Sequence, residues 1–445
     1  MAKIVRNRIT SLTHWKNSIN RKPLILLGAR QVGKSFLLQE FGLSEFKATH
    51  IFDFEADSKL AAIFEADLDP ERILRDLSLY TGRTIHVGED LVIFDEIQSC
   101  GRALTSLKYF CEKCSSLHLA CAGSLLGILL SKSSFPVGKV TFMNLAPLTF
   151  SEFIRARGED LLVEEIHTCF AESRQLSIAA HIRLLECMRY FTLIGGLPGV
   201  VASCATKKSL TLQDTLSIRD LQKELITTYL ADMAKHCGKV NAMHIERIWR
   251  SIPEQLARGI DGNSNKYTFK DVVPGIRGYE RLASALDWLF KARIIIKVPI
   301  IEHAIIPLRA YAHENIFKLF MFDIGLLTAM TQIDPFILLS NELSTFKGYL
   351  FENFVAQELQ AEIPDQFYCW RSKESEIDFL IQEGDNVLPI EVKAGHNTKS
   401  RSLSVFCKRY APKRTAMLSA NNLETHESEK LRYPLYLASQ IFSSS

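Results

Sequence analysis

The sequence predicts an α/β protein. Three observations carry the expectation: short, wholly apolar runs that end in chemistry-bearing turns (Pro23–Leu27 before Gly28, Leu91–Phe94 before Asp95-Glu96), helical apolar spacing after them and through 164–239, and a strand–turn–strand pattern over 376–393. Short apolar runs with turn signals at their ends form parallel strands buried on both faces. At roughly 150 residues per domain, the length suggests about three domains. We expect them at 1–160, 161–335 and 336–445. A composition of 47% hydrophobic and 23% charged residues is ordinary for a globular chain, and it excludes collagen-like or low-complexity architecture.

The first element with chemistry is Gly28-Ala29-Arg30-Gln31-Val32-Gly33-Lys34-Ser35, directly after the apolar run and directly before the helical pattern Phe36–Phe41. Gly-x-x-x-x-Gly-Lys-Ser between a buried strand and a helix start is the pattern of a P-loop. Its glycines let backbone N–H groups close around phosphate oxygens, and the helix N-terminus adds its positive dipole end. In this reading residues 28–35 hold ATP, Lys34 reaches the β- and γ-phosphates, and the Ser35 hydroxyl ligates Mg²⁺.

A P-loop needs a carboxylate at the end of a neighbouring strand. Asp90-Leu-Val-Ile-Phe-Asp95-Glu96 supplies two. Asp95 is the expected metal-side carboxylate, and Glu96 stands where a general base orients and deprotonates the attacking water. Thr49–Phe54 reads as a further strand and 67–77 as a capped helix. Leu117–Ala122 reads as the strand between the P-loop strand and the acidic strand, with Ser124 at its tip as the candidate γ-phosphate or water sensor.

Leu27–Ser35, Phe94–Gln98, Leu107–Phe110, Ala122–Leu126, Pro136–Val140 and Leu145–Phe153 together resemble a family of prokaryotic AAA-type ATPases. Its members carry a C-terminal domain of unknown function that ends in a restriction-endonuclease-like fold. The resemblance runs nearly end to end. It implies a P-loop AAA-type parallel sheet core, ATP hydrolysis, and the roles just given for Lys34, Ser35, Asp95, Glu96 and Ser124. No residue matches an arginine finger by motif. Arg155, Arg157 and Lys139 are the nearest candidates.

The middle of the chain reads as helical. Gly195-Gly196-x-Pro198 marks a tight connection. From Ala242 the order is a helix to Arg258, then over 267–290 a short helix, a Gly-containing turn and a longer helix, and a strand over 292–298. Helix, turn, helix, strand is the order of a winged helix. Arg277, Tyr279 and Arg281 stand where such a module reaches DNA bases, while winged helices also serve as protein-interaction modules, and both readings stay open. Asp323-x-Gly325 reads as a helix or strand terminator.

In the last third, Phe346–Leu359 has apolar residues at helical spacing with Glu352 beside them. Glu376-Ile-Asp378 and Val387-Leu-Pro-Ile-Glu391-Val-Lys393 form the two arms of a hairpin. Alternation puts Glu391 and Lys393 on one face, where Asp378 meets them. Two carboxylates can hold Mg²⁺ while a neighbouring lysine activates water against a phosphodiester. These residues resemble the Asp, then Glu-x-Lys core of PD-(D/E)xK nucleases, with Glu352 as the added helix acid. The domain is therefore expected to be restriction-endonuclease-like, with nuclease activity left open because such folds are also kept as binding platforms. Pro389 suggests an edge or a bulge.

With 53 Lys and Arg against 50 Asp and Glu, the formal net charge is only +3, which excludes a non-specific nucleic-acid coat. Basic residues nevertheless gather before the P-loop and from Lys393 to Arg414, where local fields attract anions. ATP and Mg²⁺ are the expected cofactors. DNA, a protein partner and a homo-oligomer remain open as partners. A polar N-terminus and the lack of a long apolar run point to a cytoplasmic protein away from membranes. The cysteines are expected as thiols, since Cys111-x-x-Cys114 has no second pair to complete a zinc site.

Overall fold

The computed structural model describes residues 4–123, 135–237, 239–258, 266–340, 348–373, 375–395, 400–424 and 430–442. The chain forms two compact units. Arg6–Ala146 is one, and Pro147–Ser445 with Met1–Val5 is the other.

The first unit is a five-stranded sheet built from β1 (Leu24–Leu27), β2 (Thr49–Asp53), β3 (Leu91–Asp95), β4 (His118–Ala122) and β5 (Thr141–Asn144), in the order β2-β3-β4-β1-β5. Every pairing is parallel. The central strands β1, β3 and β4 are buried along their whole length, as their unbroken apolar runs require. Between β2 and β3 the helix Pro70–Thr81 starts and stops on sequence signals. Asp69 caps its N-terminus by accepting from Arg72 N, Pro70 takes the first helical position, and Gly82 ends it at φ 66°. On this sheet Phe94 meets Phe54, Phe64 and Phe110 edge-on, with ring centroids 5.5, 5.8 and 6.1 Å apart.

The second unit contains both the helical middle and the carboxyl-terminal hairpin. Its sheet has seven strands: β6 (Ile295–Ile301), β7 (Phe317–Met321), β8 (Phe367–Arg371), β9 (Glu376–Glu383), β10 (Asn386–Val392), β11 (Thr415–Ser419) and β12 (Lys430–Pro434). The order is β12-β11-β10-β9-β8-β6-β7, so two strands from the middle of the chain extend the hairpin's sheet. β9 and β10 pair antiparallel around Gly384, which sits at φ 58°.

Pro389 lies within the inner strand β10 rather than on an edge. It is tolerated because the ladder to β11 begins only at Ile390, so at Pro389 the strand has β9 alone as its paired neighbour.

The short helix expected at the start of 267–290 does not form. The helices Lys239–Arg258 and Tyr279–Lys291 are present, but 267–277 is turns with an isolated Val273–Ile276 bridge. Asp271 at φ 65°, the β-branched pair Val272-Val273 and the Pro274-Gly275 step all oppose a helical turn. The strand after the second helix is β6, which pairs antiparallel with β7 and parallel with β8.

The glycine cluster is a close packing point. Gly195 ends the helix Ile178–Ile194 at φ 79°, and an added Cβ would lie 2.3 Å from Asp323 Oδ1. Asp323 caps the helix Ile324–Met330 through Leu326 N at 3.0 Å and accepts from Gly196 N at 2.6 Å. Among the described residues no helix is long and apolar enough to cross a membrane.

Candidate functional site

In the first unit β1 ends at Leu27, the loop 28–33 follows, and a helix runs from Lys34 to Glu45. Gln31 at φ 63° and Gly33 at φ 90° bend the loop back on itself. Gly28 has no room for a side chain, since a Cβ there would sit 2.3 Å from Leu145 O. Leu145 N in turn donates to Leu27 O at 2.7 Å, fixing the loop's base against the segment after β5. Lys34 is buried, and its Nζ donates to Gly28 O at 3.0 Å and Ala29 O at 2.7 Å, so the ammonium lies within the loop. Burial pulls its pKa down to about 8, with Glu96 and Asp95 acting upward and Arg30 downward. Ser35 is half-buried in the first turn of the helix.

Asp95 is the last residue of β3 and is buried, its Oδ1 accepting from Glu96 N at 3.0 Å. Glu96 follows in a left-handed conformation, φ 45°. Gln98 Nε2 donates to Glu96 Oε2, a contact that reading the Asp-Glu pair alone does not single out. Both acids act on the Lys34 ammonium, so lysine and carboxylates share one locality. β4 does run between β3 and β1. Ser124, beyond its tip, lies outside the described residues.

The geometry fits a nucleoside triphosphate with Mg²⁺. A glycine cradle too tight for a Cβ, a buried lysine inside it, and an adjacent hydroxyl and carboxylate are the donor set that group requires. The three candidates for a trans-acting cation have internal contacts. Lys139 pairs with Glu112 at 2.9 Å, Arg155 stands 3.9 Å from Asp160, and Arg157 donates to Lys207 O at 2.9 Å with its guanidinium 4.7 Å from the Tyr190 ring centre.

In the second unit Glu352 comes from the helix Gly348–Glu362, Asp378 from β9, Glu391 from β10, and Lys393 is the residue just beyond β10. The hairpin brings Asp378, Glu391 and Lys393 together at one end, while Glu352 contacts Lys318 and reaches Asp378 only through its charge. Lys393 Nζ lies 2.7 Å from Glu391 Oε1, which also accepts from Ser400 Oγ at 3.1 Å, and Asp378 Oδ2 accepts from Val392 N at 2.8 Å. Burial lifts the Asp378 pKa well above the usual carboxylate range, with the charges of Glu352 and Glu391 adding to it and Lys318 opposing.

Lys318 and Glu376 complete the cluster, and the motif did not indicate either. Lys318, fully buried on β7, places Nζ 2.6 Å from Glu376 Oε1 and 3.3 Å from Glu352 Oε2. Burial alone would lower its pKa, but Glu352, Cys369, Glu376 and Asp378 together hold it well above the ordinary lysine value. Among the described residues no three His, Cys, Asp or Glu side chains are gathered as a metal-binding group. The carboxylate pair Asp378 and Glu391 still suits Mg²⁺, which takes one or two carboxylates and keeps its waters. Among the described residues Glu391 Oε2 is buried without a hydrogen-bond partner, which leaves it open to a cation.

Arg277, Tyr279 and Arg281 line a surface cleft of about 690 Å³ with Glu280, Glu314 and Asn315. Tyr279 donates its hydroxyl to Glu314 Oε1 at 2.9 Å.

In this geometry the first unit has the strand–loop–helix arrangement of a P-loop on a parallel sheet. Residues 20–154 match the family profile of an AAA domain. Residues 185–336 and 347–437 match two different domains of unknown function, DUF8612 and DUF4143. No curated protein matches the chain. Among solved structures, a Walker-type ATPase of Pyrococcus abyssi is similar at 17% identity, covering 74% of this chain and 96% of its own, with a TM-score of 0.45. The Orc1 protein of Aeropyrum pernix, solved in complex with DNA, is similar at 10% identity, covering 76% and 95%, with a TM-score of 0.30. The RuvB Holliday junction branch migration motor of Thermotoga maritima is similar at 11% identity, covering 66% and 90%, with a TM-score of 0.31.

Proposed function

We propose that the protein is an ATP-hydrolysing AAA-type ATPase whose nucleotide cycle controls DNA engagement, or metal-dependent DNA cleavage, by its carboxyl-terminal part. The observation that carries the ATPase half is the shared locality of a cradled Lys34 and the Asp95-Glu96 pair. Lys34 and the amides of 28–33 bind the β- and γ-phosphates, while Ser35 and Asp95 are the residues that would hold Mg²⁺. The bound ion supplies charge neutralisation for the phosphates. Glu96 orients the attacking water and takes its proton as the water oxygen bonds to the γ-phosphorus and the bond to the β-phosphate oxygen breaks. Gln98 holds the Glu96 carboxylate from one side.

For the second unit, Asp378 and Glu391 are the residues that would hold a divalent ion, and Lys393 is the group that would steer water against a phosphodiester. Arg277 and Arg281 offer cationic contacts to a nucleic-acid backbone. A second reading is favoured by one observation: the Lys318 ammonium already neutralises Glu352 and Glu376. In that reading the cluster is catalytically silent, and the protein is an ATP-dependent switch for a protein partner.

Titrating duplex DNA while following ATP turnover, with plasmid integrity scored in Mg²⁺ or Mn²⁺, separates the two. DNA-stimulated turnover with cleavage that Lys393→Ala removes supports the first. Turnover indifferent to DNA, with intact plasmid, supports the second.

A further inference from the structure

The first unit begins at Arg6 and ends at Ala146, and one guanidinium joins both ends to the phosphate loop. Arg6 Nη1 donates to Val32 O at 2.8 Å, and Nη2 donates to Ala146 O at 2.6 Å. The residue is only 5% exposed. It also stands outside 20–154, the segment that matches the AAA profile. A charge withdrawn from water is costly to keep, so its placement against two backbone carbonyls calls for a reason beyond solubility.

The peptide plane supplies one. In a trans peptide the carbonyl and the following N–H point in opposite directions. Fixing Val32 O on the Arg6 side therefore turns Gly33 N–H to the other side of the loop. Gly33, at φ 90°, caps the helix that starts with Lys34, so its amide belongs to the set that meets phosphate at a helix N-terminus. The second bond, to Ala146 O, fixes the same guanidinium to the segment whose Leu145 carbonyl walls the loop at Gly28.

We propose that Arg6 is a positioning residue for nucleotide binding: by holding Val32 O and Ala146 O it presents the Gly33 amide to the nucleotide's phosphates and ties the phosphate loop to both ends of its unit. This deepens the nucleotide-binding reading and rests on it. The proposed role is indirect: through Val32 O and Ala146 O, Arg6 acts on phosphate affinity by way of the loop.

The test uses the full chain and its Arg6→Ala and Arg6→Lys variants, with affinity for a fluorescent ATP analogue, KM and kcat for ATP, and the unfolding midpoint measured together. Arg6→Ala is expected to weaken binding and raise KM about tenfold, the change that a misdirected amide donor worth about 1.4 kcal/mol produces. Its kcat should stay within about twofold, because Lys34, Asp95 and Glu96 are untouched. Arg6→Lys, able to satisfy one carbonyl, should fall between parent and Arg6→Ala. A lower unfolding midpoint with unchanged affinity and KM overturns the proposal, because it leaves Arg6 a purely structural role. Should Arg6→Ala fail to fold, Arg6→Lys decides alone: a raised KM supports the proposal, and parental affinity and KM overturn it. A parent protein that binds no nucleotide overturns the underlying reading instead, and is told apart by that first titration.

Discussion

Lys318 Nζ lies 2.6 Å from Glu376 Oε1, joining β7 from the middle of the chain to β9 of the carboxyl-terminal hairpin inside one sheet. The lysine is 2% exposed, and Glu352 shares its charge. Removing one partner of a buried pair leaves the others uncompensated, at a cost of about 3–5 kcal/mol. Lys318→Met should therefore lower stability by that order in denaturant unfolding, and Lys318→Met with Glu376→Gln should recover part of it. A loss below about 1 kcal/mol would show that the pair is solvated in solution.

Gly195 faces the Asp323 carboxylate at a position where φ is 79° and a Cβ would come within 2.3 Å of Oδ1. Gly195→Ala combines left-handed strain with displacement of the group that caps Leu326 and holds Gly196. A loss of about 2 kcal/mol or more is expected, read as a lowered thermal midpoint. A midpoint equal to the parent's would contradict the packing described.

Glu358 is buried on the helix Gly348–Glu362 and accepts from Phe150 N at 2.9 Å. Burial chiefly, with Glu362 and Glu152 nearby, raises its pKa from 4.5 to about 8. A folded pKa above the unfolded one means that the folded state holds the proton more tightly. The stability it contributes is fully present below pH about 4.5 and is lost as pH rises through about 8. Glu358→Gln keeps the acceptor and removes the titration. Its thermal midpoint should exceed the parent's at pH 8 and approach it at pH 5; a constant difference across that range would count against the assignment.

If DNA is the partner of the second unit, affinity should fall steeply with salt, because lysines and arginines release counterions from phosphates. Arg277→Ala with Arg281→Ala should flatten the slope of log affinity against log salt by about two. A shift assay indifferent to both salt and these changes would move the contact surface elsewhere.

How much of this could be read from the chain depended on whether the information was local. Lys34, Ser35, Asp95 and Glu96 were legible because strand, loop and helix are contiguous, and the alternating period exposed the hairpin bearing Asp378, Glu391 and Lys393. Lys318 was not, because only the pairing of β6 with both β7 and β8 brings its strand into the hairpin's sheet. Charge clustering suggested phosphate contact before the P-loop, yet Arg6 holds Val32 O and Ala146 O, Arg21 donates to Ser116 O, and Lys22 to Gly138 O. Near the other end, Lys413 pairs with Asp385 and Arg414 with Glu383. Counting charges along a sequence cannot distinguish a solvated cation from one already committed to a carbonyl or a carboxylate. The short helix expected at the start of 267–290 failed for a local reason that was present in the residues, since the β-branched pair Val272-Val273 and Pro274-Gly275 oppose a helical turn.

Glu96 as the base and Lys34 as the phosphate ligand are the core of the proposed ATPase. Steady-state ATP hydrolysis, measured beside ATP binding for the parent, Lys34→Ala and Glu96→Gln, tests both. Lys34→Ala should lose nucleotide binding, and Glu96→Gln should bind ATP like the parent while turning it over at least 100-fold more slowly, the order that a positioned general base contributes. Equal hydrolysis by Glu96→Gln and the parent would contradict it.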